Sequence, residues 1–208
     1  MRLLVVVSVL LACLCGGLVA QTPVSGVQVI EKTSPSVALV VASVLGEEPK
    51  YGTAVIVRPD GVLLTAYHVV HGARAVQVRL KSGEVYDQVQ LLAADERRDI
   101  AALRIPASAL PAISVAELAK ARPGAKAYVI GHPLALPWSA SEGVVSAVRM
   151  ADEVPGAGQG YRIIQFTAPA SPGSSGGVLL DEQGGAWGIV VAQLPAGQNV
   201  NFPFQSRV

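Results

Sequence analysis

Short apolar runs rich in Val, Leu and Ile recur along this chain between turn sequences, and they constrain its fold more than any other feature. Pro59-Asp60-Gly61 is one such turn, since proline presets the first turn dihedral and glycine accepts a positive φ. No long segment has the 3.6-residue period of an amphipathic helix. We therefore predict two sets of six β-strands. The first set is 37–45, 52–57, 62–66, 75–80, 84–92 and 100–105, and the second is 126–131, 141–149, 161–167, 176–180, 186–193 and 199–204.

Two sets of short strands at near-regular spacing are typical of an all-β protein built from barrels or sandwiches. The Ala- and Pro-rich segment 106–123 interrupts the pattern and indicates a connector. We predict an all-β fold with two six-stranded β-barrels side by side, an N-terminal barrel over 35–112 and a C-terminal barrel over 113–208. The cleft between two such barrels is the expected place for a functional site.

The start of the chain indicates export. A short basic start, an apolar run and a small residue at Ala20 are typical of a secretory signal peptide over 1–20. Two other interpretations stay open, namely an uncleaved membrane anchor and a bacterial lipobox, in which cleavage leaves a lipid-modified Cys13 that attaches the protein to a membrane. We predict that 21–34 is a linker and that the protein is exported to the periplasm, the cell envelope or the medium.

Cysteine use and charge narrow the classes of function. Both cysteines, Cys13 and Cys15, lie in the leader, so we expect no disulfide in the fold. The formal net charge is +1, from 16 basic and 15 acidic residues without a basic block, which argues against a nucleic-acid partner. Hydrophobic residues make up 51% of the chain and charged residues 15%, a composition that supports a packed core and not a disordered chain.

The run 172–177, Pro-Gly-Ser-Ser-Gly-Gly, is the strongest local signal for chemistry. Acyl transfer needs a nucleophilic hydroxyl beside backbone N–H groups that receive a developing oxyanion, and glycine allows the dihedrals that this arrangement requires. We predict Ser175 as the nucleophile and the backbone of Gly173, Ser174 and Ser175 as the oxyanion hole. A plain Gly/Ser turn is the alternative interpretation.

Chain order decides which kind of hydrolase the run fits. The same run matches the nucleophile elbow of α/β-hydrolases, whose histidine follows the serine. All three histidines of this chain, His68, His71 and His132, precede Ser175, so the elbow interpretation lacks a base. The order His, Asp, Ser remains.

Two further residues complete a candidate triad with Ser175. His68 follows the apolar run 62–66, where it can point into a cleft and act as general base and then as general acid. Asp99 comes directly before an apolar strand, where a buried carboxylate can hold the imidazole tautomer. We therefore predict His68, Asp99 and Ser175 as the catalytic residues.

The base and the carboxylate both have alternatives. His71 could be the base, although it lies in a surface turn, and Asp95 could replace Asp99. His68, His71 and His132 could instead ligate a metal, but no carboxylate-rich or cysteine signature accompanies them, so we expect neither a metal nor a cofactor. Otherwise His132 is expected to be a loop residue near the cleft.

Several short sequence blocks along the chain can be compared, both in sequence and in order, with those of known protein families. They are 52–57 with His68, 99–103, Gly-His-Pro at 131–133, 141–146, 164–177 and Asn201-Phe202. Together these blocks resemble HtrA/Deg-type trypsin-like serine proteases, with a likeness that extends from about residue 34 to 206. The resemblance implies a chymotrypsin-type fold of two antiparallel β-barrels with the active site between them. It also implies a serine endopeptidase that cleaves unfolded or exported polypeptides.

The resemblance further implies where the primary specificity pocket lies. Its walls come from residues just before the nucleophile and from a later strand, and no acidic residue occupies these positions. A preference for Lys or Arg is therefore not expected, and a small or medium aliphatic side chain is. The pocket residues are Pro169, Ala170, Ser171, Ile189, Val190, Val191 and Ala192.

Three departures from the family pattern bear on function. Ser174 replaces the usual Asn before the nucleophile, and His132 replaces the Asn of a Gly-Asn-Pro block. The sequence ends at Val208 without the PDZ domain that family members typically add, which leaves PDZ-based substrate capture and the usual homo-oligomer open. The competing functions are a catalytically resting fold that binds partners in the envelope and an esterase with the same triad.

Overall fold

The computed structural model describes residues 24–154, 158–193 and 201–204. The predicted signal peptide, with Cys13 and Cys15, lies outside these residues, so the leader and its lipid attachment stay predictions. Within the described ranges no helix has the length and apolar character needed to cross a membrane.

The first half of the chain forms one antiparallel sheet. Its strands are β1 (Val37–Ser43), β2 (Lys50–Arg58), β3 (Val62–Ala66), β4 (Ala75–Arg79), β5 (Val85–Tyr86), β6 (Gln90–Asp95) and β7 (Ile100–Arg104). They lie side by side in the order β5-β4-β1-β2-β3-β7-β6. The buried faces of β1, β2 and β3 form the centre of this sheet, as their Val- and Leu-rich sequences predict.

This sheet differs from the predicted six-stranded barrel at its edges. The predicted strand 84–92 is divided into β5 and β6, so the sheet has seven strands. β5 pairs with β4 and β6 pairs with β7, and the sheet order leaves these two strands at opposite edges. The side chains of β6 are largely exposed. Strand β6 therefore has no buried face that would fix a pairing register with β5 and close the sheet into a barrel.

The second half forms a closed antiparallel barrel, as predicted. Its strands are β8 (Lys126–Gly131), β9 (Ser139–Met150), β10 (Arg162–Phe166), β11 (Val178–Leu180), β12 (Ala186–Gln193) and β13 (Asn201–Phe204). The order around the barrel is β10-β13-β12-β11-β8-β9. The predicted fold class, all-β with two antiparallel units, is therefore confirmed.

A helix occupies most of the segment that the sequence predicts as a linker. The helix α1 (Gly26–Thr33) begins after Ser25, whose side chain accepts the Gln28 N–H while the Gln28 side chain accepts the Ser25 N–H. Such a capping box stabilises a helix by about 1 kcal/mol. Val29 is buried in the core shared by the two halves. The linker prediction is therefore wrong for these residues, because the caps and this buried side chain fix a short helix on the barrel.

A shared apolar core joins the sheet to the barrel. Val55 and Ile100 of the sheet are buried in one cluster with Ile130 and Val178 of the barrel. Burying a side chain of this size contributes about 1.5–3 kcal/mol. The cleft between the halves therefore has a packed floor.

The connector between the halves is hydrogen-bonded to both of them. The Ile113 N–H donates to Ile56 O at 2.8 Å, and the Ala116 N–H donates to Ala186 O at 2.9 Å. The predicted domain boundary between residues 112 and 113 falls inside this connector and stays a prediction.

Candidate active site

Asp99 holds His68 through both of its carboxylate oxygens. Asp99 Oδ2 lies 2.6 Å from His68 Nδ1, and Oδ1 accepts the His68 backbone N–H at 2.8 Å. With Nδ1–H directed at the carboxylate, Nε2 is the ring nitrogen that remains to act as a base. The Asp99 side chain is 30% exposed, so it is half-buried and not fully buried as predicted.

The backbone around Asp99 explains this geometry. A 3₁₀ turn, Glu96–Arg98, ends at Asp99, whose φ of 54° and ψ of 43° lie in the left-handed region. Aspartate enters this region more readily than most residues other than glycine. Asp99 O accepts the Tyr67 N–H at 3.0 Å, at the start of the short helix α2 (Tyr67–Val70) that carries His68. The two partners are thus fixed by main-chain contacts as well as by their side chains.

The alternative base and the alternative carboxylate have other partners. Asp95 Oδ1 accepts the Arg98 N–H at 3.1 Å and caps the 3₁₀ turn. His71 Nδ1 lies 2.7 Å from the Tyr67 hydroxyl. Neither alternative takes part in the carboxylate–imidazole pair described above.

A cavity of about 560 Å³ has both His68 and Ser175 in its wall. Ser175 lies on the loop between β10 and β11, and its carbonyl accepts the Thr53 N–H at 2.8 Å, which ties this nucleophile loop to β2. Within the described ranges no hydrogen bond joins the Ser175 hydroxyl to the His68 ring. Such bonds often tighten only when substrate binds.

Residues 173–175 line the cavity, and two of their backbone N–H groups are not used within the described part of the chain. The Ser174 N–H donates to Ser171 O at 2.9 Å and is therefore already used inside the loop. The N–H groups of Gly173 and Ser175 donate to no residue in the described part of the chain. Of the three residues predicted for the oxyanion hole, two thus keep a free amide.

Glycine is required on either side of Ser175. Gly173 has a φ of 96° and Gly176 has a φ of 85°. These backbone dihedrals are strained for any residue other than glycine. A Cβ at Gly173 would overlap His132 O, and a Cβ at Gly176 would overlap Thr53 O. The glycines therefore provide both the dihedrals and the space for this loop to lie against its neighbours.

The cavity wall contains part of the predicted specificity pocket. Pro169 is outside the wall and its carbonyl accepts the Ser141 hydroxyl at 2.7 Å, while Ile189 is buried in the shared core. The side chain of Ala192 lies outside what the structure describes. The predicted residues that do line the cavity are Ala170, Ser171, Val190 and Val191.

Sequence reasoning missed part of the cavity wall, including Lys50, Tyr51 and Val69. Lys50 and Tyr51 line the cavity from the start of β2. Lys50 Nζ lies 3.9 Å from Glu47 Oε2 in an exposed ion pair, which contributes little to stability. Their place directly before the Gly-Thr-Ala block at 52–54 is the signal that could have indicated them.

His132 lies in the loop directly after β8, as the sequence suggests, but its side chain is fully buried beside the nucleophile loop. Its Nδ1 lies 3.1 Å from Thr53 Oγ1, and its ring packs edge-on against Trp138 with centroids 5.0 Å apart. Burial lowers the pKa of His132 from 6.5 to about 4. The residue is therefore neutral at pH 7.

Acid is expected to destabilise the protein through His132. The unfolded chain, with the ordinary pKa of 6.5, binds this proton before the folded protein does, because the folded pKa is about 4. As far as His132 is concerned, the free energy of unfolding therefore keeps its full value above pH 6.5 and falls as the pH is lowered. At pH 4 the titration of His132 has reduced it by about 3 kcal/mol. Urea unfolding across this pH range measures the decline.

Two variants isolate the contribution of His132 to this pH dependence. His132→Asn keeps a polar side chain without the titration, so its free energy of unfolding should decline by about 3 kcal/mol less than that of the wild type. His71→Asn, which removes an exposed histidine, is the matched control for the substitution itself. Identical pH curves for His132→Asn and wild type would contradict the prediction.

Comparison with known proteins identifies the family of this chain. A family model described as a trypsin-like peptidase domain matches residues 52–189, more than half of the chain. The chain is 32% identical over 185 residues to the mitochondrial serine protease HTRA2 of Bos taurus, with 84% of this chain and 40% of that protein covered. It is 35% identical over 157 residues to the periplasmic pH-dependent serine endoprotease DegQ of Escherichia coli, with 74% and 34% covered. The chain thus spans less than half the length of these relatives.

Solved structures give the same result. The HtrA-type protease AlgW with tripeptide superposes on this protein with a TM-score of 0.79 at 31% identity, covering 86% of this chain and 59% of that one. The sequence blocks, the two antiparallel units and the relatives therefore point to one family. The chain belongs to the trypsin-like peptidases, and among them to the HtrA/Deg-type serine proteases.

Proposed function

We propose that this protein is a serine endopeptidase with Ser175, His68 and Asp99 as its catalytic triad. The observation that carries the proposal is the 2.6 Å contact between His68 Nδ1 and Asp99 Oδ2 at a cavity whose wall also contains Ser175. A carboxylate on Nδ1 sets the tautomer in which Nε2 can take a proton from a serine hydroxyl. Membership of the HtrA/Deg-type proteases supports the same assignment.

The proposed reaction follows from these positions. Ser175 Oγ attacks the scissile carbonyl carbon while His68 Nε2 takes the hydroxyl proton, and the N–H groups of Gly173 and Ser175 stabilise the resulting oxyanion. The imidazolium, stabilised by Asp99, then gives its proton to the leaving amine as the C–N bond breaks, which leaves an acyl ester on Ser175. Water attacks this ester with His68 as base, and release of the acid restores the serine.

The proposed substrates are unfolded or exported polypeptides. A relative is named as a periplasmic endoprotease, which supports a location outside the cytoplasm together with the predicted signal peptide and the candidate lipid attachment at Cys13. A solved relative is described with a tripeptide, which supports a peptide ligand. A homo-oligomer, which members of the family commonly form, stays open for this chain.

The proposed enzyme is expected to prefer a small or medium aliphatic residue on the acyl side of the scissile bond. Ala170, Val190 and Val191 line the cavity beside Ser175, and among the described residues no acidic side chain lines it to pair with Lys or Arg. We expect kcat/KM for Val or Ala at this position to exceed that for Lys or Arg at least about 10-fold. A positional peptide library measures this ratio, and a strict preference for basic residues would refute the pocket assignment.

A resting form of the same fold is the second candidate function. One observation favours it, namely that the Ser175 hydroxyl makes no hydrogen bond to the His68 ring within the described residues. A protein held in this arrangement would bind a polypeptide in the cavity without cleaving it.

A fluorophosphonate probe separates the two candidates, because it reacts with a serine that a general base and oxyanion amides activate. We expect the wild type to label and Ser175→Ala to lose the label, with Ser82→Ala, which removes an exposed turn hydroxyl, as the labelled control. A wild type that fails to label at any pH, with or without added peptide, would favour the resting module. Labelling with hydrolysis of short acyl esters but never of unfolded protein would indicate an esterase.

A further inference from the structure

Two carbonyl groups beside Gly173 are held by donors from outside the nucleophile loop. Pro172 O accepts the Leu134 N–H at 2.8 Å, and Gly173 O accepts the Thr53 hydroxyl at 2.8 Å. In a planar trans peptide the C=O and the following N–H point in opposite directions. Holding Pro172 O therefore fixes the direction of the Gly173 N–H, and holding Gly173 O fixes the peptide that leads into Ser174.

The Thr53 hydroxyl has no hydrogen-bonding capacity left over in this arrangement. A hydroxyl has one proton and two lone pairs. Its proton goes to Gly173 O, and its lone pairs accept the His132 backbone N–H at 3.1 Å and the His132 Nδ1–H at 3.1 Å. The neutral His132 ring therefore carries its proton on Nδ1.

The opposite tautomer of His132 is worse for two reasons. If Thr53 donated to an unprotonated Nδ1, Gly173 O would lose its hydroxyl donor. The ring proton would then sit on Nε2, which is buried and has no partner among the described residues, so a buried donor would be left unsatisfied. The tautomer protonated on Nδ1 leaves only a lone pair without a partner.

Among the described residues, no charged side chain is hydrogen-bonded to His132 or to the Thr53 hydroxyl. The neighbours of His132 are Thr53 on β2, Gly173 on the nucleophile loop, and Trp138, whose indole N–H donates to Val37 O at 2.9 Å. Burial is what lowers the pKa of His132, without a contribution from a nearby charge. The imidazole thus remains a neutral donor throughout the neutral pH range.

We propose that Thr53 and His132, here called the brace, are positioning residues of the peptidase. The His132 ring holds the Thr53 hydroxyl in the orientation that donates to Gly173 O. This contact fixes the Gly173–Ser174 peptide, which lies between the two free amides of Gly173 and Ser175, before substrate arrives. The proposal rests on the proposed function, since it assigns what preorganises the oxyanion hole. Donors that are already in place are what make such a hole effective.

The first test removes the hydroxyl of the brace without changing its shape. Thr53→Val should lower kcat about 10- to 100-fold and leave KM within about threefold, because the lost contact acts on the transition state more than on substrate binding. Thr53→Ser keeps the hydroxyl and should restore kcat to within about threefold of the wild type. A Thr53→Val enzyme with wild-type kcat, or a Thr53→Ser enzyme that loses as much as Thr53→Val, would overturn the proposal.

The second test applies the same logic to His132. His132→Leu removes the ring donor and should lower kcat as Thr53→Val does, whereas the amide of His132→Asn can donate to Thr53 Oγ1 and should restore most of it. The kcat of the double variant Thr53→Val/His132→Leu should lie within about threefold of that of the less active single variant, because both changes break the same contact. Independent, multiplying losses would overturn the proposal.

A third measurement does not depend on activity, so it distinguishes failure of the brace from failure of the proposed function. Hydrogen–deuterium exchange of peptides covering 171–177 should be faster in Thr53→Val and His132→Leu than in the wild type, and unchanged in Thr53→Ser and His132→Asn. If the wild type shows no activity but this exchange pattern holds, the peptidase proposal fails and the brace stands. If the wild type is active and the exchange is unchanged in all four variants, the brace fails.

Discussion

Replacement of Asp99 by asparagine is expected to lower kcat about 10⁴-fold. Both carboxylate oxygens of Asp99 accept from His68, one from the backbone N–H at 2.8 Å and one from Nδ1 at 2.6 Å. An amide has one oxygen and one NH₂, so with its oxygen on the backbone N–H its NH₂ faces Nδ1. The ring must then carry its proton on Nε2, where it cannot accept the Ser175 proton. Steady-state hydrolysis of a chromogenic peptide measures the loss.

The loss in Asp99→Asn should occur without unfolding, because asparagine accepts the left-handed φ of 54° at this position as readily as aspartate does. Asp95→Asn is the matched control, since Asp95 caps the neighbouring turn and is not bonded to His68. We expect this control to keep kcat within about 10-fold of the wild type. Equal losses in the two variants would show that the turn matters and the Asp99 carboxylate does not.

Replacement of Gly176 by alanine is expected to destabilise the protein by about 4 kcal/mol, a large effect for one added methyl group. The φ of 85° is strained for alanine, and the new Cβ would overlap Thr53 O. Thr65 limits any movement of this carbonyl, because its hydroxyl donates to Thr53 O at 2.6 Å and both residues are buried. Chemical unfolding of Gly176→Ala and wild type measures the difference.

Gly124→Ala separates the two causes of this destabilisation. Gly124 has the same φ of 85°, but a Cβ there would have nothing within 4 Å. The control should therefore lose only about 1 kcal/mol, from backbone strain. Equal losses at Gly124 and Gly176 would mean that the Thr53 carbonyl moves aside and that the nucleophile loop packs less tightly than described.

The sequence could predict the features that depend on local patterns and on residue order. Val62–Ala66 and Ala186–Gln193 have the predicted bounds, because short apolar runs between turns carry most of the strand signal. His68 and Asp99 could be selected as a pair because each adjoins a strand end and because the chain order excludes the α/β-hydrolase arrangement. The structure places these two residues in contact, and their catalytic roles stay a prediction.

The helix α1 shows where a local signal was present but weak. Ser25 and Gln28 have the spacing of a capping box, which the sequence contains. The helix is short and buries Val29 and Thr33, so no long apolar stripe reveals it. Its stability comes from packing against Tyr128 of the barrel, which lies far away in the sequence.

The role of His132 depends on contacts that no local pattern contains. Thr53 and His132 are 79 residues apart in the chain, and they meet only because β2 and the end of β8 lie against the same loop. The burial of the ring, and hence its lowered pKa, also depends on Trp138 folding back over it. The open form of the first sheet also depends on contacts between distant residues. Closing it would require β5 to pair with β6, and the largely exposed side chains of β6 provide no buried face to stabilise that pairing.

Thr53 has one further consequence for how the molecule works. It belongs to the sheet, where its carbonyl accepts the Thr65 hydroxyl, yet its N–H and its hydroxyl bind Ser175 O and Gly173 O of the barrel. A small rotation of one half against the other must therefore either carry the nucleophile along or break these bonds. In the proposed peptidase, the turnover rate is therefore expected to depend on the alignment of the two halves, although the proposed reacting groups lie at the surface of the cleft.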